Sequence, residues 1–349
     1  MENGKWKINS VSINLRLALI FSIFHFPLTI AQAQQQAQYS QYTFNTHLYN
    51  PAVAGIEDYT EVRAGFRKLY AGVPGDNTSQ YLSAHMALNQ RELNKEDLGA
   101  LPMRGASTIR FKTEVPRKIR HGLGFAVVND KAGLYQYQSP TLSYAIHLPV
   151  GKRIYWSFGA RAGANLQQAG NNLENTISKT DAAFNGNTVT PEIGLGTFVY
   201  TDRWYVGLSA EHLTQSKLNF NDANTNYNKY NTHYYLTGAY RVALDDEFDI
   251  IPTVLVKYAK PTVALDGGVK VRYRQNFWAG AQFRAADARA SFGSDGVIGI
   301  VGFNVARILD LGFSYDFTTS SLSTGSNGSF EVVAGLRLMN KKNAAPKIW

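Results

Sequence analysis

The stretch that decides the fold is DLGFSYDF, residues 310–317, near the end of the chain. Successive side chains of an extended strand point to opposite faces. Leu311, Phe313, Tyr315 and Phe317 therefore share one face, and the other face carries only Asp, Gly and Ser. This alternation predicts a β-strand with one face in an apolar environment and the other in a polar one.

The same alternation recurs along the chain. It is clear in TEVRAGF (60–66), RIYWSFGARAGAN (153–165), VALDGGVKVRYR (263–274) and SFEVVAGLRL (329–338), and weaker in GLGFAVV (122–128). Segments of this kind centre near residues 64, 84, 125, 143, 160, 195, 208, 238, 254, 269, 281, 300, 313 and 334. The pattern predicts about fourteen strands.

Composition narrows the protein class. Hydrophobic residues make up 44% of the chain and charged residues only 17%, against roughly 25% charged in a typical soluble domain. The longest apolar runs are too short for helical membrane spans, which need about 20 residues. Cysteine is absent, which excludes disulfides, thiolate zinc sites and a lipidated N-terminal cysteine.

Residues 1–33 have the pattern of a secretory signal peptide. Lys5, Lys7 and Arg16 precede an apolar run at 17–30, and AQA at 31–33 resembles a cleavage site. We expect cleavage after Ala33, which leaves 32 basic and 25 acidic residues, a net charge of +7. Because the chain is exported, this positive charge does not indicate a nucleic-acid partner.

The links between the strands alternate in length. Short links at 149–152, 201–202, 245–247, 274–276 and 306–307 follow even-numbered strands, and long polar links at 167–189, 213–231 and 318–328 follow odd-numbered ones. Short turns on one rim and long loops on the other are typical of outer-membrane barrels. The long link at 90–119 breaks this rule and is predicted to be a periplasmic insertion.

The charged faces distinguish a membrane barrel from a soluble β-sandwich. Charged side chains facing a sealed core would cost several kcal/mol each unless paired, whereas in a water-filled lumen they cost little. We therefore predict an all-β fold, a transmembrane antiparallel β-barrel of about 14 strands over residues 59–339, closed because open edges are unfavourable in lipid. A periplasmic tail, 340–349, follows it.

An aromatic and amide-rich segment, QYSQYTFNTHLYNPAVAG (38–55), precedes the first strand. It is expected to form, within residues 34–58, a periplasmic element or a plug in the lumen. Candidates for structural or partner contacts are Gln41, Tyr42, Phe44, Asn45, Asn50 and Pro51 of this segment, the inward carboxylates Asp316 and Glu331, and Trp349 of the tail.

Sites for catalysis, cofactors or metals find little support in the sequence. Ser83 and His85 share a strand face, but no nucleophile motif surrounds them. Asp310 and Asp316 lie roughly 20 Å apart on one strand face, too far for paired carboxylate chemistry, and are expected to pair with Arg337 or Arg272. The glycines of GLGFAV (122–127) are expected to relieve crowding at barrel bends. We predict a non-enzymatic protein without cofactor or metal.

Several motifs resemble one known family. QYSQYTFNTHLYNPAVAG (38–55), YLSAHMAL (81–88), GLGFAVVNDKAGLY (122–135), HYYLTGAYRV (233–242) and LGFSYDFTTSSLSTGSNGSFEVVAGLRL (311–338) are similar, in order, to the PorP/SprF family of Bacteroidetes outer-membrane proteins. The chain departs from that family at Asn45-Thr46, at FRKLY (66–70) and at Phe330, and its insertion at 90–119 is unusually long.

The resemblance implies a non-enzymatic outer-membrane component of the type IX secretion system. The implied partners are a periplasmic ring lipoprotein, a peptidoglycan-binding protein, and a secreted cargo or adhesin, with outer-membrane lipid around the barrel. A transporter of hydrophobic compounds resembling the fourteen-stranded fatty-acid transporters is the main alternative, and it would have an apolar pocket beneath the plug. A plain porin and an enzyme rank third and fourth.

Overall fold

Fourteen alternating segments form fourteen antiparallel strands in the computed structural model, as the sequence predicts. The structure describes residues 38–57, 59–72, 77–88, 119–133, 135–151, 153–169, 188–216, 230–260, 262–274, 276–287, 292–305, 308–319 and 326–338. The strands are β1 (Thr60–Lys68), β2 (Thr78–Ala87), β3 (Arg120–Ala132), β4 (Tyr135–Pro149), β5 (Tyr155–Ala169), β6 (Thr188–Tyr200), β7 (Trp204–Glu211), β8 (His233–Tyr240), β9 (Phe248–Ala259), β10 (Thr262–Tyr273), β11 (Phe277–Asp287), β12 (Phe292–Val305), β13 (Leu309–Thr318) and β14 (Ser329–Leu338).

The sheet closes on itself. The first strand pairs with the last, in a register that runs from Thr60 opposite Leu338 to Lys68 opposite Phe330. A two-residue strand, Val242–Ala243, continues the line of β8 and pairs with the start of β9. Because every strand has two neighbours, the barrel has no open edge, which is the condition for a sheet that crosses a bilayer.

The two faces of the strands have the environments that the alternation predicts. On β13, Phe313 and Phe317 point outward and are 43% and 58% exposed, whereas the inward Asp310 and Asp316 are 2% and 6% exposed. Other strands repeat this arrangement, so the barrel wall carries an apolar outer surface. An outward apolar band is the feature by which barrels reside in lipid.

The two ends of the barrel differ. At one end, Thr60 begins β1 and Leu338 ends β14. The links after even-numbered strands lie at this end, and we name it the turn rim. The opposite end, with the links after odd-numbered strands, is the loop rim. The insertion at 90–119 follows β2 and belongs to the turn rim by topology. Its residues 90–118, the predicted signal peptide at 1–33 and the predicted tail at 340–349 lie outside the described residues.

Residues 38–57 lie inside the barrel, and we name them the luminal segment. Its helical content is two short 3₁₀ turns, Thr46–Leu48 and Pro51–Val53. Within the described part of the chain, no helix has the length and apolar character needed to cross a membrane. The segment is buried almost throughout, with Ser40, Asn50 and Ala54 at 0% exposure.

Glycines of the wall make room for the luminal segment. A Cβ on Gly159 would lie 2.4 Å from Ala52 N, and one on Gly122 would lie 1.9 Å from Ala54 O. Separations below 3.0 Å would force one backbone away from the other. Gly122 relieves crowding, as expected for the glycine-rich stretch of β3, and the neighbour that crowds it is the luminal segment. The expected barrel bend stays a prediction.

The interior is also different from the water-filled lumen that the sequence predicts. Inward polar side chains are buried against the luminal segment and against one another, among them Arg67 at 3%, Arg161 at 6% and Glu331 at 0% exposure. The inward charges are tolerated because they form ion pairs and hydrogen bonds, and solvation contributes little to most of them.

Candidate functional site

The first part of the luminal segment is held by charged side chains near the loop rim. The hydroxyl of Ser40 donates to Asp316 at 2.7 Å, and its backbone N–H donates to Glu331 at 2.6 Å. Arg67 of β1 donates to Ser40 Oγ at 2.5 Å and forms an ion pair with Asp316 at 2.7 Å. The segment is thereby attached to β1, β13 and β14 together.

The charges around Ser40 continue across the lumen. Arg284 of β11 contacts Asp316 at 3.1 Å and Asp266 of β10 at 2.7 Å, and Lys257 of β9 contacts Asp266 at 2.7 Å. We name this set the loop-side charge cluster; its members are Arg67, Lys257, Asp266, Arg284, Asp316 and Glu331. The cluster contains three cations and three carboxylates, so its formal charges balance. Buried charges need partners of opposite charge in this way.

A cavity of about 230 Å³ lies beside the loop-side charge cluster. Gln38, Arg67, Asp130, Arg284 and Asp316 are among the residues that line it. Its lining also includes the apolar side chains of Leu69, Ala132 and Ile298, so charged and apolar groups both face the cavity.

The middle of the luminal segment is fixed by Asn50. Its Nδ2 donates to the backbone carbonyls of Thr197 on β6 at 3.0 Å and Leu208 on β7 at 3.2 Å. Its Oδ1 accepts from Ala52 N at 2.9 Å and so caps the second 3₁₀ turn, where Pro51 is the first residue. The Asn-Pro-Ala step thus joins the turn to two strands of the wall.

Arg161 of β5 holds the segment at the preceding turn. Its guanidinium donates to the carbonyl of Leu48 at 2.8 Å and to that of His47. It also forms an ion pair with Glu211 of β7. A charged donor satisfies carbonyls at the end of the first 3₁₀ turn that would otherwise be buried without partners.

The last part of the segment reaches the turn rim. The imidazole Nε2 of His147 lies 2.8 Å from Ala54 O, and Arg120, the first residue of β3, donates to Glu57 O at 2.9 Å. The luminal segment therefore runs the length of the barrel, from the loop-side charge cluster down to the start of β1.

Other candidate residues of the segment face the wall. Tyr42 donates its hydroxyl to Thr253 at 3.0 Å, and Asn45 donates its amide to Ser83 at 2.8 Å. The Phe44 ring lies 4.3 Å from the guanidinium of Arg63 and is half-buried. Gln41 is buried, and neither atom of its side-chain amide has a partner among the described residues.

Two of the remaining candidates belong to the loop-side charge cluster, and one cannot be placed. Asp316 and Glu331 both contact Ser40, so the structure brings them together with the luminal segment. Trp349 lies outside the described residues. The candidates that can be placed are thus interior contacts within this chain, and none of them lies on an outer surface.

Ion pairs near the turn rim correct one expectation and support another. Arg337 pairs with Asp310 at 2.7 Å, as the sequence suggests. Arg272 pairs with Asp249 at 2.6 Å, and Asp316 pairs with Arg67 and Arg284, so the expected pairing of Asp316 with Arg272 or Arg337 is wrong. Asp316 lies at the other end of the strands from both of these arginines.

Sequence reasoning missed several of the residues that hold the segment. Ser40, Arg161, Arg284 and Asp266 were visible only as polar or inward-facing positions. Their alternation with apolar residues predicts that the inward-facing side chains point into the lumen. It does not predict which of these side chains contact one another. A buried positive charge within reach of backbone carbonyls, as at Arg161, could be found only once the segment was placed.

Ser83 and His85 share a strand face but contact different residues. Ser83 accepts from Asn45, and His85 lies 3.0 Å from Glu61, so the two side chains serve different partners. Within the described ranges, no group of three or more His, Asp or Glu side chains is placed to hold a metal ion.

Solved structures with similar folds have very low sequence identity to this chain. Omp33 of Acinetobacter baumannii is 10% identical, with 81% of this chain and 99% of that chain covered and a TM-score of 0.45. The monoaromatic hydrocarbon channel CymD is 12% identical (88% and 94% covered, TM-score 0.47), and the toluene transporter TbuX of Ralstonia pickettii is 8% identical (91% and 100%, TM-score 0.47). No curated protein matches the sequence.

A family model covers almost all of the barrel. The model described as "Type IX secretion system membrane protein PorP/SprF" matches residues 31–336. This range includes the luminal segment and every strand up to the last residues of β14. The chain therefore belongs to the PorP/SprF family of type IX secretion system membrane proteins.

Proposed function

We propose that this protein is a non-enzymatic outer-membrane component of the type IX secretion system that works by docking other proteins. At the turn rim it binds a periplasmic ring lipoprotein or a peptidoglycan-binding partner. At the loop rim it supports the secretion or surface attachment of a cargo such as an adhesin. Family membership supports the link to the secretion system.

The observation that carries the docking role is the occupied lumen. The luminal segment is bonded to the wall from Ser40 at one end to Glu57 at the other. Its contacts reach opposite sides of the barrel, β13 and β14 through Ser40 and β6 and β7 through Asn50. A barrel filled by its own chain is poorly suited to pass a substrate, so its rims are the better candidates for function.

The alternative of a hydrophobic transporter is less well supported. Such a transporter needs an apolar pocket next to its plug, with few polar groups. The cavity beside the luminal segment is instead lined by charged groups that include Arg67, Asp130 and Asp316. An apolar solute in this cavity would lie against charged groups to which it offers no hydrogen bond, which is unfavourable.

Affinity purification from native membranes tests the proposal. Tagged full-length protein, extracted in a mild detergent, is expected to bring down type IX secretion components identified by mass spectrometry. Deletion of residues 90–119, the turn-rim insertion, should reduce the periplasmic components while the barrel stays folded. Deletion of residues 170–187, a link on the loop rim, is the matched control and should leave them in place.

The outcomes separate docking from other roles. Recovery of general envelope proteins alone, with no secretion component, would contradict the proposal. So would equal recovery of the periplasmic components after both deletions, because the turn rim would then have no special part. Folding of each variant is checked by the resistance of the barrel to unfolding in dodecyl sulfate at room temperature.

A further inference from the structure

Asp130 of β3 is a carboxylate that lines the cavity beside the loop-side charge cluster, which we name the loop-side cavity. It lies directly opposite Ser79 of β2, whose inward side chain is 0% exposed. The hydroxyl of Ser79 donates to one carboxylate oxygen of Asp130. In the part of the chain that the structure describes, Asp130 forms no ion pair within 4.0 Å. The carboxylate is therefore held in place by a neutral donor and has no cation beside it there.

The inward cation at the same level of the wall is Arg67, and its charge is already used. Arg67 is opposite Ser79 on the other side of β2, which places the backbones of Arg67 and Asp130 about 10 Å apart. The Arg67 guanidinium pairs with Asp316 at 2.7 Å and lies 3.6 Å from Glu331. Because the loop-side charge cluster balances its own charges, Asp130 is an additional negative charge beside it.

The neighbouring Lys131 points to the other side of the wall. It follows Asp130 along the strand, so alternation directs its side chain outward. Its partners in the register are Thr78 of β2 and Gln136 of β4. Gln136 donates to Asn129 at 2.9 Å, which places both of these amides on the same, outward face. The lysine next to Asp130 in the chain therefore lies outside the lumen.

The loop-side cavity is open toward the loop rim. Ala132 lines it one step above Asp130 on the inward face of β3, and both Ala132 and the following Gly133 are exposed. Asp130 itself is half-buried. The cavity has a volume of about 230 Å³. A side chain of a molecule at the loop rim can therefore reach the carboxylate from outside.

The lining of the loop-side cavity has the two parts that a lysine side chain needs. Leu69 and Ala132 are apolar and lie near the rim, one step above Arg67 and Asp130 on their strands. A lysine side chain places its methylene groups along apolar surface and its ammonium group in a polar environment. The cavity offers this order of environments, apolar near the mouth and a carboxylate beneath it.

Tyr70 adds an aromatic side chain to the same lining. Aromatic rings attract cations through their negatively polarised faces. The backbone of Tyr70 has a φ of 47°, which is unusual for a bulky residue. It is kept there because the Tyr70 N–H donates to Ser329 Oγ at 3.0 Å and the next N–H, of Ala71, donates to Gly328 O at 2.8 Å. Tyr70 is thus fixed at a position where it suits a cationic ligand.

We propose that the loop-side cavity binds the ammonium group of a lysine on a partner protein at the loop rim, with Asp130 as its ion-pair partner. This rests on the docking role proposed above and adds the chemistry of the contact at the loop rim. The chain leading into the cavity has no side chain that could take this place, because residues 34–37 are Gln, Gln, Gln and Ala. A lysine from another molecule supplies the missing positive charge.

Peptide binding to the purified full-length protein tests the site. The protein is placed in nanodiscs of phosphatidylcholine, whose headgroups have no net charge to attract a cationic probe. The probe is a fluorescent peptide with a single lysine and an acetylated amino end. The reference is the same peptide with acetyllysine, which retains the methylene groups and has no charge. The unmodified protein should bind the lysine peptide at least about tenfold more tightly than the reference.

Asp130→Asn should weaken binding of the lysine peptide by about tenfold, because the ion pair is lost. This variant should fold, since asparagine still offers an oxygen to Ser79 and no ion pair within the described residues is broken. Asp246→Asn is the matched control. It removes an exposed carboxylate in the link before β9, on the turn rim, and should leave binding unchanged.

Three results would overturn the site. They are failure of the unmodified protein to bind the lysine peptide, equal affinity for the lysine and acetyllysine peptides, and equal affinity of Asp130→Asn and the unmodified protein for the lysine peptide. The comparison of the two peptides needs no variant, so it decides the question even if Asp130→Asn were to fold poorly.

A last arm tests the source of the ammonium group. After the predicted cleavage behind Ala33, the chain's own amino terminus would lie four residues before Gln38, which lines the cavity. A flexible Gly-Ser insert of about eight residues before Gln34 would move this terminus away. Tighter binding of the lysine peptide by that variant would place the chain's own terminus in the site and overturn the assignment to a partner. Unchanged binding supports the assignment.

The site and the docking role can fail separately. Binding of the lysine peptide, with no secretion component in the purification from native membranes, would refute the docking role and leave the ammonium site standing. Recovery of secretion components by a protein that does not bind the lysine peptide would leave the docking role standing and overturn the site.

Discussion

Arg67 and Asp316 lie 249 residues apart in the chain and form an ion pair of 2.7 Å inside the barrel. Both side chains are at most 9% exposed. Arg67 is also directly opposite Glu331 in the register of β1 and β14, the strands that close the barrel. The pair therefore joins both sides of the closing seam, and Ser40 extends it to the luminal segment.

Loss of the Asp316 charge should destabilise the barrel strongly. Asp316→Asn leaves Arg67 and Arg284 next to a neutral amide, and removing one partner of a buried ion pair costs about 3–5 kcal/mol. The free energy of unfolding, measured with guanidinium chloride on protein folded into lipid vesicles, should fall by that amount.

An exposed ion pair of the same protein is the control. Arg274 and Glu247 pair at the turn rim with side chains 57% and 40% exposed. Arg274→Gln should therefore leave the unfolding free energy unchanged. Equal effects of Asp316→Asn and Arg274→Gln would contradict the view that the loop-side charge cluster holds the seam together.

Asn50→Ala should release the middle of the luminal segment. The alanine cannot make the bonds to Thr197 O and Leu208 O, and both carbonyls lose a buried donor. Because the chain has no cysteine, a single Ala52→Cys substitution reports on this region without background labelling. The thiol should resist a maleimide in otherwise unmodified protein, since Ala52 is 0% exposed, and should react within minutes when Asn50→Ala is added.

The labelling experiment has its own reference. Asp246 is exposed in the link before β9, so Asp246→Cys should react at the same rate with and without Asn50→Ala. Equal protection of the thiol at position 52 in both backgrounds would mean that Asn50 does not hold the segment.

Gly159→Val should push the luminal segment out of place and open the lumen. Its Cβ would lie 2.4 Å from Ala52 N, and the wall of the barrel is less able to yield than a segment held by local bonds. Ion conductance across planar bilayers should rise from near zero to a porin-like level. Gly299→Val is the matched control, because a Cβ there has no neighbour within 4 Å, and it should conduct as the unmodified protein does.

The strands could be predicted from the sequence because the signal for each is local. In β13, the two-residue period of Phe313 and Phe317 against Asp310 and Asp316 sets which face meets lipid, and the structure follows it. The fourteen expected centres all fall within strands. Closure then follows from the cost of unpaired backbone groups in lipid.

The interior could not be predicted in the same way. Contacts such as Ser40 with Asp316 or Arg161 with Leu48 O join residues more than 100 positions apart, and no periodicity encodes them. The sequence left both a periplasmic element and a plug open for residues 34–58. The close approach of Gly122 to Ala54 gives a physical reason for a small residue there, but only after the segment is placed.

The outward face of β13 allows a direct test of the lipid environment. Phe313 is near the middle of the strand, 43% exposed, and lies opposite the outward-facing Val301 and Val332 of the neighbouring strands. An arginine near the midplane of a bilayer costs about 2–4 kcal/mol in such barrels. Phe313→Arg should therefore lower the unfolding free energy in lipid vesicles by about that amount.

The position of the charge along the wall gives the decisive comparison. Phe303 is outward and 49% exposed but lies close to the turn rim, where an arginine side chain can reach the headgroups. Phe303→Arg should therefore lower the unfolding free energy by about 1 kcal/mol or less. Phe313→Leu should lower it less than Phe313→Arg does, because leucine is also apolar. If both arginine variants lost the same free energy, the cost would arise from packing in the wall, and the apolar band around the barrel would not be a lipid-facing surface.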